Sequence, residues 1–297
     1  MINTINKKKI WVFGSPFCGK TTLANQSPNP IMLNTDGNIH FVDAPFISIK
    51  DTMDGRQKKL AWEVFKGAID DLENGSDFET IVVDLLEDTY ESCRLWMYKQ
   101  MGITHESDDS FRAWDKVRTE FLSTFRRLLN LPYNIVLISH EDMSKDITKK
   151  SGDKITAIRP NIQDKIANKI AGMVDIVCRV LVEDDGRYLS FKSDSVVFGG
   201  GRLPTHGKTQ IPLSWDAIEE FYATVSGKNP TQAAETPKVE DVPTETVRPT
   251  TGRKNDVDDE VDEVMEKLKE TLETVTEVTE ETEVTDEPKR RTRRTRN

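Results

Sequence analysis

Short apolar runs alternate along the first part of the chain with longer segments of helical period. Lys9–Phe13, Ile31–Leu33, Phe46–Ile49, Thr80–Asp84 and Ile135–Ser139 are rich in β-branched residues and bounded by turn formers, which predicts buried parallel strands. Between them, Leu60, Val64, Phe65, Ala68, Ile69 and Leu72 share one helical face. Phe111, Trp114, Val117, Phe121, Leu122, Phe125, Leu128 and Leu129 share another. Strand and helix in alternation imply right-handed βαβ crossovers and a mostly parallel, doubly wound α/β sheet flanked by helices. Past Val174 the pattern changes. Asp175–Glu183 and Arg187–Lys192 enclose the turn Asp184-Asp185-Gly186, which predicts a C-terminal antiparallel hairpin, and Trp215–Val225 reads as a closing helix.

The last aromatic residue is Tyr222, and the composition beyond it is dominated by Thr, Glu, Pro, Asp and Lys. Such a segment buries too little apolar area to offset its chain entropy, so the reading divides the 297 residues into a domain at 1–227 and a disordered tail at 228–297. Val261, Val264, Leu268 and Leu272 recur at helical spacing inside that tail and admit a short helix near Asp258–Thr274. The net charge of −10 is concentrated there: residues 228–297 hold 19 acids and 13 bases, leaving the body at −4. The tail is itself divided, with 15 acids in Asp256–Glu287 followed by the basic run Lys289–Arg296. Three scattered cysteines, Cys18, Cys93 and Cys178, support neither a disulfide framework nor a zinc site. No run is long and apolar enough for a bilayer, and the N-terminal residues lack an apolar signal core, so a cytoplasmic location without membrane contact is expected.

The chemistry begins at Gly14-Ser15-Pro16-Phe17-Cys18-Gly19-Lys20-Thr21, which matches G-x-x-x-x-G-K-[ST] directly after one predicted strand and before the helical Thr22–Gln26. Glycines let the backbone curl so that successive N–H groups point at a phosphate chain. In that setting Lys20 reaches the β- and γ-phosphates, Thr21 sits on Mg²⁺ and Thr22 donates to the α-phosphate, so ATP and Mg²⁺ are the expected ligands. The strand Ile81-Val82-Val83-Asp84 supplies the second carboxylate for the metal's water shell. Hydrolysis also needs a group on the attacking water, and the candidates are Asp36, at the end of its strand, and Glu87, just past Asp84. Asp36 is the favoured one because it heads an Asp-Gly turn at a strand C-terminus, the end where open sheets bind ligands. His140, at the end of another strand, is placed to sense the γ-phosphate.

Together, GSPFCGKTT, LNTDG, TIVVD and VLISHE resemble the RecA-type P-loop recombinase core, and more narrowly the compact ATPases of phage recombination modules, the phage nucleotide-binding or single-strand annealing proteins. The resemblance spans Lys8–Arg202. It implies a RecA-like fold, makes Asp36 the water-activating acid and His140 the sensor, and implies a homo-oligomer in the host cytoplasm acting on single-stranded DNA, with a single-strand-binding protein as a further partner. That family places a mobile DNA-contacting loop after the sensor strand, and Glu141–Pro160 there carries Lys145, Lys149, Lys150, Lys154 and Arg159, suited to salt-sensitive phosphate contacts. The family's Lys-x-Arg pair, which reaches a neighbouring subunit's nucleotide, is replaced by Gly199-Gly200-Gly201-Arg202, leaving Arg202 as the trans-acting candidate. Phe65-Lys66-Gly67-Ala68 resembles the family's Phe-x-x-Ala docking motif, although Phe65 and Ala68 lie on the apolar face of their own helix. Two alternatives use the same phosphate loop: a P-loop kinase acting on a small acceptor, and a non-catalytic nucleotide-binding accessory protein of replication or recombination.

Overall fold

In the computed structural model the described residues are 7–225, except 106–107, 109, 145, 149–153 and 205–206. In chain order the elements are β1 (Lys9–Gly14), α1 (Lys20–Asn25), β2 (Pro30–Asn34), β3 (Phe46–Ser48), β4 (Thr52–Asp54), β5 (Gln57–Lys59), α2 (Ala61–Glu73), β6 (Thr80–Asp84) and α3 (Leu86–Met101). They continue with α4 (Ser110–Leu129), β7 (Asn134–Asp142), β8 (Asp146–Thr148), β9 (Lys154–Thr156), β10 (Arg159–Pro160), α5 (Asp164–Ala171), β11 (Ile176–Glu183), β12 (Gly186–Ser190), β13 (Gly200–Gly201), β14 (Gln210–Pro212) and α6 (Trp215–Val225).

The central sheet runs β14-β12-β11-β1-β7-β6-β2-β3. From β11 to β3 every neighbouring pair is parallel, and β12 and β14 add antiparallel strands at the other edge. Chain order and space therefore diverge around β1, whose neighbours are β7 and β11. As a result β7 lies between the strand that opens the phosphate loop and the strand that ends in Asp84.

Strands this central are apolar at every position, because alternate side chains enter opposite layers of core. Trp11 and Phe13 of β1 join Leu33, Val83 and Leu137 in the layer packed by α2, α3, α4 and α5. Ile10 and Val12 join Met32, Val82 and Ile138 in the layer packed by α1 and α6. The larger layer centres on rings: Trp62 stacks on Phe65 at 5.3 Å, Phe65 on Phe125 at 5.6 Å, and Tyr90 meets Phe121 edge-on at 5.0 Å.

The fold class read from the sequence is the observed one, including the hairpin of β11 with β12. Two expectations are revised. Phe46–Ile49 is an edge strand, with Phe46 half exposed, because β3 has a neighbour on one side only. Glu141–Pro160 is not simply a loop: β8 pairs antiparallel with β9 in the register Ile147↔Ile155, and β10 folds back onto the end of β7. The β-branched Ile-Thr pairs in both short runs favour that pleat. Phe65 and Ala68, by contrast, are buried in the core as their place on the apolar helix face implies, so the Phe-x-x-Ala likeness belongs to helix packing. The boundary at 227 and the helical spacing at Asp258–Thr274 lie outside the described residues.

Candidate nucleotide-binding site

The sheet delivers the phosphate loop from a strand buried from Ile10 onward, so the loop starts from a rigid base. Gly14 ends β1 and faces His140 on β7. Ser15, Pro16 and Phe17 then stand out into solvent, with Phe17 in the left-handed region at φ 65°. Cys18 turns inward, and burial pushes its thiol above the ordinary range. Gly19 closes the loop at φ 101°, where a β-carbon would lie 3.1 Å from Arg187 Nη1 and 3.2 Å from Leu213 Cδ2. The left-handed conformation favours glycine at this position, and the space beside it is tight.

Lys20 is buried, and its ammonium donates to Gly14 O at 2.9 Å and Ser15 O at 2.8 Å. Thr21 Oγ1 donates to Asp84 Oδ2 at 2.9 Å, while Thr22 is exposed. A hydroxyl and a carboxylate at this separation are hard oxygen ligands of the kind Mg²⁺ takes alongside phosphates. Burial pushes the Asp84 carboxyl up to about 6, opposed by the Thr21 hydrogen bond and reinforced by Asp36. A divalent cation relieves that desolvated charge, so the pair fits magnesium.

Around Asp84 the neighbouring strand ends form a polar rim. The Thr35 hydroxyl accepts from Leu85 N at 2.8 Å and lies 3.2 Å from both Asp84 O and Asp88 Oδ2, tying the end of β2 to the start of α3. Asp36 is exposed, and its carboxylate is engaged by its own turn: it accepts from Asn34 Nδ2 and Asn38 N at 2.9 Å each, and from Asn38 Nδ2 at 3.1 Å. Glu87 lies under the end of β7, where its Oε1 accepts from His140 N at 2.8 Å and meets His140 Nδ1 at 2.9 Å.

Residues 6–203 match the family model of the AAA domain. The chain belongs to the AAA domain family. Among curated proteins, none matches the sequence. The chain is thus a P-loop NTPase-type AAA domain, and the loop of Gly14–Thr22 with Asp84 is its candidate nucleotide site.

The remaining sequence candidates of this AAA domain lie on other elements. Lys154 is exposed on β9, and Arg159 on β10 pairs with Asp164 at 3.9 Å. Lys145, Lys149 and Lys150 lie outside the described residues. Arg202 follows β13, which pairs with the start of β11, and its guanidinium donates to Gly172 O. It therefore stands at the opposite end of the sheet from the phosphate loop of its own chain. No helix among the described residues is long and apolar enough to cross a membrane.

Three features of the site had no sequence signal. Ser15 Oγ donates to Glu141 Oε1, and Glu141 Oε2 takes Arg179 Nε at 2.9 Å, which joins the phosphate loop to β7 and β11. Arg187 lies against Gly19. Thr35 bonds the backbone beside Asp84. Each depends on which strands are neighbours, and that order follows from three-dimensional packing.

Proposed function

We propose that this AAA domain binds ATP with magnesium, hydrolyses it, and couples its nucleotide state to single-stranded DNA binding in recombination or annealing of the kind found in phage recombination modules. The observation that carries the nucleotide chemistry is the Thr21–Asp84 hydrogen bond beside the buried ammonium of Lys20. Thr21 and Asp84 would hold magnesium, which supplies charge neutralisation between the β- and γ-phosphates. Lys20 exchanges its two loop carbonyls for phosphate oxygens, and the loop N–H groups orient the chain for in-line attack.

The DNA part is supported by position. β7 carries His140 at the nucleotide end and continues directly into Glu141 and the basic segment with Lys145, Lys149, Lys150, Lys154 and Arg159. Glu141 is bonded to Ser15 of the phosphate loop, so a change at the loop reaches the base of that segment through one side chain. Phosphate contacts from these cations would make DNA affinity independent of sequence and steeply salt-dependent. A homo-oligomer along the strand, with Arg202 turned toward a neighbour's nucleotide, and recruitment of a single-strand-binding protein complete the reading.

The test is hydrolysis of ATP and GTP measured in parallel with no nucleic acid, single-stranded DNA, duplex DNA and RNA. The expected result is ATP turnover that rises with single-stranded DNA and is lost in Lys20→Ala. Turnover indifferent to every nucleic acid removes the DNA coupling. Phosphoryl transfer to a nucleoside or nucleotide acceptor replaces it with a kinase, and ATP binding without hydrolysis in any condition leaves an accessory protein.

A further inference from the structure

We infer that Glu87, rather than Asp36, takes the proton from the attacking water, with His140 as the residue that positions it. This assignment rests on the hydrolytic reading of the same site. Glu87 occupies the first turn of α3, three residues past Asp84, and its carboxylate lies at the C-terminal end of β7. That strand is flanked by β1 with its phosphate loop on one side and β6 with Asp84 on the other. His140 is in register with Gly14, the first loop residue, while Asp84 is in register with Ile138, so the carboxylate that His140 holds stands between the two halves of the nucleotide site.

The two oxygens of Glu87 have different surroundings. Oε1 takes the backbone N–H of His140 and faces its Nδ1, which fixes the carboxylate in place. Oε2 is buried and has no hydrogen-bond partner among the described residues. A buried acceptor without a donor is costly, more so when charged, and a water molecule donating to it offsets that cost. A carboxylate locked through one oxygen, with the other left without a donor for a single enclosed water to fill, is the arrangement general-base catalysis requires. Asp36 has the opposite character: it is exposed, and both of its oxygens close the turn with Asn34 and Asn38.

In the step itself, the water oxygen bonds to the γ-phosphorus as one of its protons passes to Glu87 Oε2. The bond from that phosphorus to the β,γ-bridging oxygen breaks, and its electron pair leaves with ADP. The products are ADP and inorganic phosphate, and Glu87 returns its proton to solvent. His140 touches neither phosphorus nor water in this scheme; it keeps Oε2 aimed.

The experiment uses the full chain with saturating single-stranded DNA, a fluorescent ATP analogue for affinity, and rapid-quench single-turnover hydrolysis. Glu87→Gln should bind the analogue within about threefold of wild type while hydrolysis falls roughly 10²–10⁴-fold. Asp36→Asn should lose far less turnover than Glu87→Gln does. His140→Gln should lower kcat on the order of tenfold and leave KM unchanged, a split that general destabilisation would not produce. Should Glu87→Gln fold poorly, Glu87→Ala with added formate supplies the second measurement, since a small carboxylate in the space left by the side chain should restore part of the turnover. Wild-type turnover in Glu87→Gln, or a hundredfold loss in Asp36→Asn with analogue binding intact, overturns the assignment alone. A wild-type protein that binds ATP and hydrolyses none overturns the hydrolytic reading, and the assignment falls with it.

Discussion

Replacing Asp84 with asparagine should make the protein more stable and disable it. The carboxyl is nearly inaccessible, and burial lifts it from the ordinary 3.8 to about 6. A group raised in the folded state favours folding most where it is protonated, below about pH 4, and loses that contribution as pH climbs to 6; above 6 the folded chain carries the whole cost of the buried charge. That cost is about 3 kcal/mol at most, since each tenfold step in the proton equilibrium is worth about 1.4 kcal/mol. Asparagine keeps an oxygen for the Thr21 hydroxyl and drops the charge. At pH 8 without nucleotide or magnesium, Asp84→Asn should therefore melt above wild type by up to roughly 6–12 °C, at ~2–4 °C per kcal/mol for a domain of this size. The gap should shrink as pH falls through 6 and be gone near 4. Adding magnesium and ATP at a hundredfold excess over Kd should raise the wild type by about 2.7 kcal/mol and the variant by far less. Scanning calorimetry at several pH values reads all three effects. A variant that melts below wild type at pH 8 without ligand, or a gap that persists at pH 4, refutes the argument from the buried charge.

Lys20→Ala should abolish turnover and leave the melting temperature nearly unchanged, because the bonds it removes are to two carbonyls of its own loop; a collapse of the fold, seen by circular dichroism, would contradict this. Phe65→Ala should cost about 3–5 kcal/mol in urea unfolding, since the ring is buried between Trp62 and Phe125. An altered oligomeric state at unchanged stability would return the Phe-x-x-Ala segment to subunit docking. Arg187→Ala should weaken ATP-analogue binding on the order of tenfold, the scale of one charge-assisted contact, while thermal stability stays as it was. An unchanged affinity would show that the guanidinium only packs on Gly19.

What the chain disclosed and what it kept follow from the range of the interactions involved. β1, β6 and β7 were legible because central parallel strands must be apolar on both faces, and the phosphate loop because its glycines and lysine are consecutive. The helix α3 was not, since its buried face is made of Leu86, Thr89, Tyr90, Cys93 and Tyr98, a mixed set with little contrast against its polar side. The β8–β9 pair reads as part of a loop because three residues per strand give too short a period to recognise. In the site, Asp36 and Glu87 were equally visible as acids near strand ends. Only the pairing of Glu87 with His140 across the β6–β7 boundary separates their surroundings.

The ammonium of Lys20, resting on Gly14 O and Ser15 O, makes the loop a template built around its own counter-ion. Before any phosphate arrives, the curl of the backbone is already set by that internal charge, so capture of a ligand spends little freedom of the chain. The exchange of two neutral oxygens for anionic ones is then the main enthalpic gain, and it favours ligands by the number of phosphoryl oxygens they bring within reach of one nitrogen. In the nucleotide reading proposed above, discrimination between a triphosphate and a diphosphate would fall to a single side chain that never has to search for its place.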